Sequence, residues 1–227
     1  MNERRYAVAV DGPAGAGKST LAKAAAERLG ILYVDTGAIY RTIGLYVQRR
    51  GIDPQDTAAV LAALPDIHIA MEHDGDGLQR MLLNGEDVSA DIRLPEMSRY
   101  ASTVSAIPAV RDFLLELQRE QARRHSVIMD GRDIGTVVLP DADVKIFLYA
   151  DVEVRAKRRE LELQQRGTPK PYAEVLREME ERDYNDTHRA AAPLRAADDA
   201  IMVDTSSMDF NASLELLLDV IRGSVSN

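Results

Sequence analysis

The sequence predicts an α/β fold: a parallel sheet core flanked by helices, with an antiparallel-sheet insert and a charged helical segment after it. Three observations lead there. Short, continuously apolar runs alternate with amphipathic stretches, as in a buried parallel sheet with helical crossovers. A glycine-rich loop joins the first such run to the first helix. Turn-forming residues around positions 65–90 interrupt the alternation, which then resumes.

Tyr6-Ala7-Val8-Ala9-Val10 reads as a buried strand ended by Asp11-Gly12-Pro13. Ser19 to Leu29 reads as a helix, with Leu21, Ala25 and Leu29 on one face and Gly30 placed to end it. Ile31 to Val34 is a second strand and Ala38 to Arg50 a second helix. Ile67 to Met71 and Gln79 to Leu83 are expected to pair around a turn at Asp74-Gly75-Asp76-Gly77. Asn84-Gly85 is a further hairpin signal, leading into Glu86-Asp87-Val88. Helices are expected at about 55–64 and 95–124. Ser126 to Met129, Val144 to Leu148 and Ala200 to Val203 are the later strands. Asp151 to Arg166, Tyr172 to about Arg189 and Asn211 to Arg222 are the later helices.

Composition excludes several kinds of chemistry. The 227 residues are 45% hydrophobic and 29% charged, a globular balance. With 28 basic and 37 acidic side chains the net charge is −9, so the overall field repels phosphate; nucleic acid and anionic membranes are not expected partners. The absence of cysteine excludes disulfides, thiolate catalysis and cysteine-ligated zinc. His68, His73, His125 and His188 show no metal-ligand spacing. No apolar run is long enough to span a bilayer or act as an export signal, so a cytoplasmic location is expected.

Gly12-Pro13-Ala14-Gly15-Ala16-Gly17-Lys18-Ser19 matches G-x-x-x-x-G-K-[ST], between an apolar strand and an amphipathic helix. Glycines let successive backbone N–H groups turn toward phosphate oxygens, and the helix N-terminus adds partial positive charge. Lys18 is placed for the β- and γ-phosphates and Ser19 for magnesium. The fold is therefore of P-loop NTPase type. Val127-Ile128-Met129-Asp130 resembles a strand that ends in an acid beside the metal. Asp130 stands either there, directly or through water, or merely caps a turn. Arg155, Arg158 and Arg159 are spaced to share one helix face, as are Arg182, Asp186 and Arg189; Arg132 follows a strand, where ligands of α/β sheets gather.

A P-loop alone leaves motors, GTPases, transporters and kinases open. The P-loop with Thr20, Asp35-Thr36-Gly37-Ala38-Ile39-Tyr40-Arg41, Asn84 to Val88, Asp130-Gly131-Arg132-Asp133-Ile134-Gly135-Thr136-Val137-Val138, Arg182-Asp183 and Arg189 to Leu194 resemble, in order and spacing, the bacterial cytidylate kinases. The resemblance implies transfer of the γ-phosphoryl group of ATP to CMP or dCMP with Mg2+, in a single nucleoside monophosphate kinase domain. Its core would span about 1–40, 108–150 and 190–227, with a monophosphate-binding insert at about 41–107. A helical lid at about 151–172 would lie within a helical region reaching about 189. Gly12 to Thr20 would hold ATP, and Ser19 and Asp130 the metal. Lys18, Arg132 and Arg158 would act on the transferring group. Arg41 and Arg132 would hold the acceptor phosphate, with Thr36 in the same pocket. Ser102, Arg111 and Asp133 would read cytosine, Arg182 and Asp186 would lie near the sugar, and Arg189 on the phosphate side. Arg155, Arg158 and Arg159 would open the lid. Relatives suggest a monomer. A kinase for another small acceptor, a module that only binds ATP, and a nucleic-acid ATPase are the rivals; the Asp130-Gly131-Arg132-Asp133 segment, the intact P-loop and the acidic balance respectively argue against them.

Overall fold

The computed structural model describes residues 5–73 and 79–225. The turn expected at Asp74 to Gly77 lies outside them. The main sheet is five-stranded and parallel. Its strands are β1 (Ala7–Asp11), β2 (Leu32–Asp35), β6 (Val127–Gly131), β7 (Val144–Tyr149) and β8 (Ile201–Asp204), in the order β2-β6-β1-β7-β8. β1 is central, with Val10 opposite Asp130 on β6 and Asp11 opposite Phe147 on β7. A three-stranded antiparallel sheet is made of β3 (Ile69–His73), β4 (Gln79–Leu83) and β5 (Glu86–Asp87). Asn84 and Gly85, at φ 51° and 86°, make its second turn, the backbone that an Asn-Gly hairpin selects.

The helices are α1 (Lys18–Leu29), α2 (Thr36–Arg49), α3 (Thr57–Ala63), α4 (Met97–Ser105), α5 (Pro108–Arg124), α6 (Val152–Gln165), α7 (Tyr172–His188) and α8 (Phe210–Val225). Carboxylates start three of them: Asp35 accepts from the Ala38 N–H at 2.9 Å, Asp56 from the Ala59 N–H at 3.0 Å, and Asp209 from the Ala212 N–H at 2.8 Å. The single helix expected at 95–124 is two. Pro108 has no N–H to continue α4, and it disfavours the helical conformation for Ile107, which is extended at φ −83°, ψ 116°. The expected Ile67–Met71 strand is shifted two residues, since Ile67 caps a 3-10 turn at Leu64–Asp66. A turn of π-helix at Ile134–Val138 carries no sequence signature and was not expected.

Separate apolar bodies form. One packs α2, α4 and α5 against the antiparallel sheet, through Ile39, Ile43, Met81, Met97, Val104 and Leu114. Another packs α1 and α8 on one face of the parallel sheet, through Leu21, Ala25, Ile128, Ile146, Leu217 and Leu218. Leu217 is fully buried. Leu217→Ala is expected to destabilise the fold by about 2–5 kcal/mol in denaturant titration, through lost burial and a cavity.

Candidate active site

The P-loop closes tightly over the sheet. A Cβ at Gly12 (φ 146°) would fall 1.9 Å from the Leu148 carbonyl oxygen, so only glycine lets the chain leave β1 here. Gly15 and Gly17 also have positive φ, 72° and 88°. Lys18 folds back under the loop and donates to the Pro13 carbonyl at 2.7 Å. Burial and the nearby Arg132 hold its ammonium well below the usual lysine range, with Asp130 opposing them.

Beside the loop, the Asp130 carboxylate accepts from the Ser19 hydroxyl at 2.7 Å and from the Tyr33 hydroxyl at 2.9 Å. Val10 and Asp130 are paired across β1 and β6, which is why the P-loop and this acid meet. Burial and the neighbouring Asp35 push the Asp130 carboxyl up to about 6. The folded chain therefore retains a proton between about pH 4 and 6 that the unfolded chain releases. Its contribution to stability falls as pH rises through that window. Asp130→Asn keeps the shape and an oxygen for Tyr33, while the Ser19 hydroxyl turns to accept. We expect the ligand-free variant to melt a few degrees higher at pH 7.5, with the gain vanishing near pH 4, and to lose turnover. An unchanged or lower melting temperature at pH 7.5 would refute this.

Opposite the P-loop, α2, α4, α5, α7 and the segment after β6 bring the remaining residues together. All line one cleft of about 1160 Å³ that also takes in Ala14 to Thr20. Arg41 donates to Asp35 at 2.7 Å, while its buried Nε has no partner. Arg132 donates through Nε to Asp186 at 2.8 Å. Arg182 is half-buried next to Arg132, its buried Nε without a partner; desolvation and that like charge push it down to about 10. Arg111 hydrogen-bonds Asp133, donates to the Ser105 carbonyl at 3.2 Å, and lies over the Tyr40 ring at 5.4 Å. Arg189 approaches the other oxygen of Asp133 at 3.6 Å. Thr36 donates its hydroxyl proton to the Asp130 carbonyl at 2.7 Å, and Ser102 lines the cleft wall.

Two expectations of shared helix faces need correction. Arg158 and Arg159 line the cleft, but Arg155 does not: it is buried at the root of α6, donating to the carbonyls of Ala150 (2.8 Å) and Ala14 (2.9 Å) and to Asp183 (2.6 Å). Its three ties fasten the P-loop to the pair α6–α7 and leave its guanidinium no free edge toward the cleft. Arg189 is not on α7, which ends at His188; it is extended (φ −63°, ψ 142°) and reaches the cleft from the following segment. Tyr33, Asp35, Tyr40 and Ser105 also belong to the site. Asp35 and Tyr40 sit inside a quoted motif; Tyr33 and Ser105 carry no signal that distinguishes them from ordinary strand and helix residues.

A P-loop at one end of a cleft, and at the other a set of arginines held in place by carboxylates, define a phosphotransferase that brings two anions together. The comparisons with known proteins agree. A model of the cytidylate kinase family matches residues 8–223. The cytidylate kinase of Caldicellulosiruptor bescii is 48% identical over 99% of each chain, and that of Mycobacterium leprae 48% identical over 95% of each. An uncharacterised protein from Eubacterium ventriosum is similar in structure at a TM-score of 0.53, 14% identical, over 99% of this chain and 100% of that one, which bears on the fold alone. The chain belongs to the cytidylate kinase family.

Proposed function

We propose that this chain transfers the γ-phosphoryl group of ATP to CMP or dCMP, releasing ADP and CDP or dCDP. The observation that carries the reading is the cleft itself, in which a P-loop faces arginines with buried, unpartnered N–H groups on Arg41 and Arg182. Such donors are costly without an acceptor, and a phosphate supplies several. Arg41 and Arg132 hold the acceptor's phosphate, Arg182 and Asp186 lie near its sugar, and Ser102, Arg111 and Asp133 read its base. Arg189 keeps the Asp133 carboxylate in place from the phosphate side.

The nucleophile is a phosphate oxygen already ionised near pH 7, so no general base is required. What the chain must supply is alignment and positive charge as the γ-phosphoryl group moves. Lys18 supplies it from beneath the P-loop and Arg132 from the acceptor side. Arg158 adds to it from α6, where it now donates to the Thr205 carbonyl at 2.7 Å. The Ser19 hydroxyl and the Asp130 carboxylate are two adjoining hard oxygen ligands, a set that fits Mg2+ completed by water and phosphate oxygens. When bound there, Mg2+ neutralises charge on the β- and γ-phosphates.

In this reading residues of about 41–107 form the acceptor-binding insert, and a lid at about 151–172 closes to exclude water. The enzyme works as a monomer in the cytoplasm, where its nucleotide substrates are. The test is a panel of nucleoside monophosphates with ATP and Mg2+ in a coupled ADP assay. CMP and dCMP should turn over at least tenfold more efficiently than UMP, AMP or TMP. Equal rates across the pyrimidines, or none, would overturn the reading.

A further inference from the structure

Asp11, the last residue of β1, has no place in the reaction described so far, yet it is a fully enclosed carboxylate at the centre of the molecule, 4% exposed. Its two oxygens accept from consecutive backbone N–H groups, Ile134 at 2.8 Å and Gly135 at 2.7 Å. These amides open the π-helical turn and directly follow Arg132 and Asp133. On the other side of Asp11 the chain enters the P-loop at Gly12. One side chain thus bolts the start of the donor loop to the segment that carries a phosphate-binding arginine and the base-reading carboxylate.

The surroundings leave this joint little play. A Cβ on Gly135 would lie 3.2 Å from Lys145 Cδ and 3.4 Å from Asp11 Oδ2, so the turn fits against the carboxylate and β7 without slack. Asp11 is itself clamped between Gly131 on β6 and Phe147 on β7. Burying a carboxylate is unfavourable, and its neighbour Asp133 makes it more so. A neutral hydrogen-bonding residue would cap the turn at less cost, but a carboxylate gives each of the two amides an oxygen of its own.

We propose that Asp11 is a positioning residue for acceptor recognition: it fixes where Arg132 and Asp133 stand relative to the P-loop, and so sets the fit of the pyrimidine monophosphate. The proposal rests on the assignment of Asp133 and Arg132 to the acceptor. Asp11→Asn keeps the size but offers a single oxygen to the two amides, and turns its own amide against one of them. Steady-state kinetics should show KM for CMP raised about tenfold and the preference for CMP over UMP narrowed at least threefold. ATP affinity, measured by calorimetric titration without acceptor, should stay within about twofold. Hydrogen exchange at Ile134 and Gly135 should quicken.

A folded Asp11→Asn protein with unchanged KM for CMP and unchanged preference would overturn the proposal. So would an equal loss of ATP and CMP affinity that merely follows a lower melting temperature. If Asp11→Asn does not fold, Gly135→Ala strains the same joint from the other side. It should raise KM for CMP severalfold and narrow the preference, and an unaltered acceptor profile there would overturn the proposal too. Wild-type protein that fails to prefer CMP over UMP would sink the assignment of the acceptor site instead, and this keeps the two failures apart.

Discussion

Lys18→Ala lowers turnover by about a thousandfold while KM for CMP moves only a few-fold. Lys18 lies beneath the P-loop, 4% exposed, and its ammonium is set by a 2.7 Å hydrogen bond to the Pro13 carbonyl rather than by a carboxylate. Burial works against its charge in the free protein, so the phosphates of the donor are its natural counter-ion. Removing a preorganised positive group aimed at developing charge costs about 10²–10³ in turnover, and phosphoryl transfer leans on such groups more than most reactions. The acceptor's arginines lie across the cleft, which is why its binding is spared. Steady-state kinetics with a thermal-melt control checks this; a drop smaller than tenfold would remove Lys18 from the transition state.

Asp133→Ala reduces kcat/KM for CMP by about a hundredfold and brings CMP and UMP within a few-fold of each other. Cytosine presents an amine where uracil presents a carbonyl; a carboxylate accepts from the first and repels the second, a difference of about 1–3 kcal/mol. Arg111 and Arg189 occupy one side of each Asp133 oxygen and leave lone pairs for the base. The variant also strands two buried guanidinium groups, so its melting temperature falls. Asp133→Asn separates the effects. It keeps the packing, and the CMP-to-UMP ratio alone reports base reading. A ratio equal to wild type in Asp133→Asn would exclude Asp133 as the reader.

Much of the donor half was legible in the sequence because it is local. The P-loop, the strand before it and the helix after it are contiguous, and their residue types follow from backbone conformation and phosphate chemistry. Asp130 was read only as an acid at the end of a strand; its place beside the P-loop comes from the parallel pairing of β1 and β6, which no local pattern announces. The acceptor half is assembled from α2, α4, α5, α7 and the β6 loop. Its residues were named through resemblance, and the sequence held no local reason for Arg111 to meet Asp133. Helical spacing misled for Arg155: the i, i+3, i+4 pattern places three arginines on one face, but the first lies at the helix root, where backbone carbonyls of Ala14 and Ala150 capture it. The break before Pro108 was visible as a proline yet outweighed by the helical character on both sides. The Asp11 joint and the π-turn have no pattern to read, since they depend on the positions of three neighbouring strands.

The two apolar bodies have a consequence for how such a molecule changes over time. Tyr40 and Arg111, on the proposed acceptor side of the cleft, ride on the body built by α2, α4 and α5 against the antiparallel sheet, while α1 and the loop before it rest on the parallel sheet. Substitutions confined to the former can therefore drift toward a new acceptor while the grip on the triphosphate is inherited intact, so a lineage can explore substrates without first surrendering its energy source.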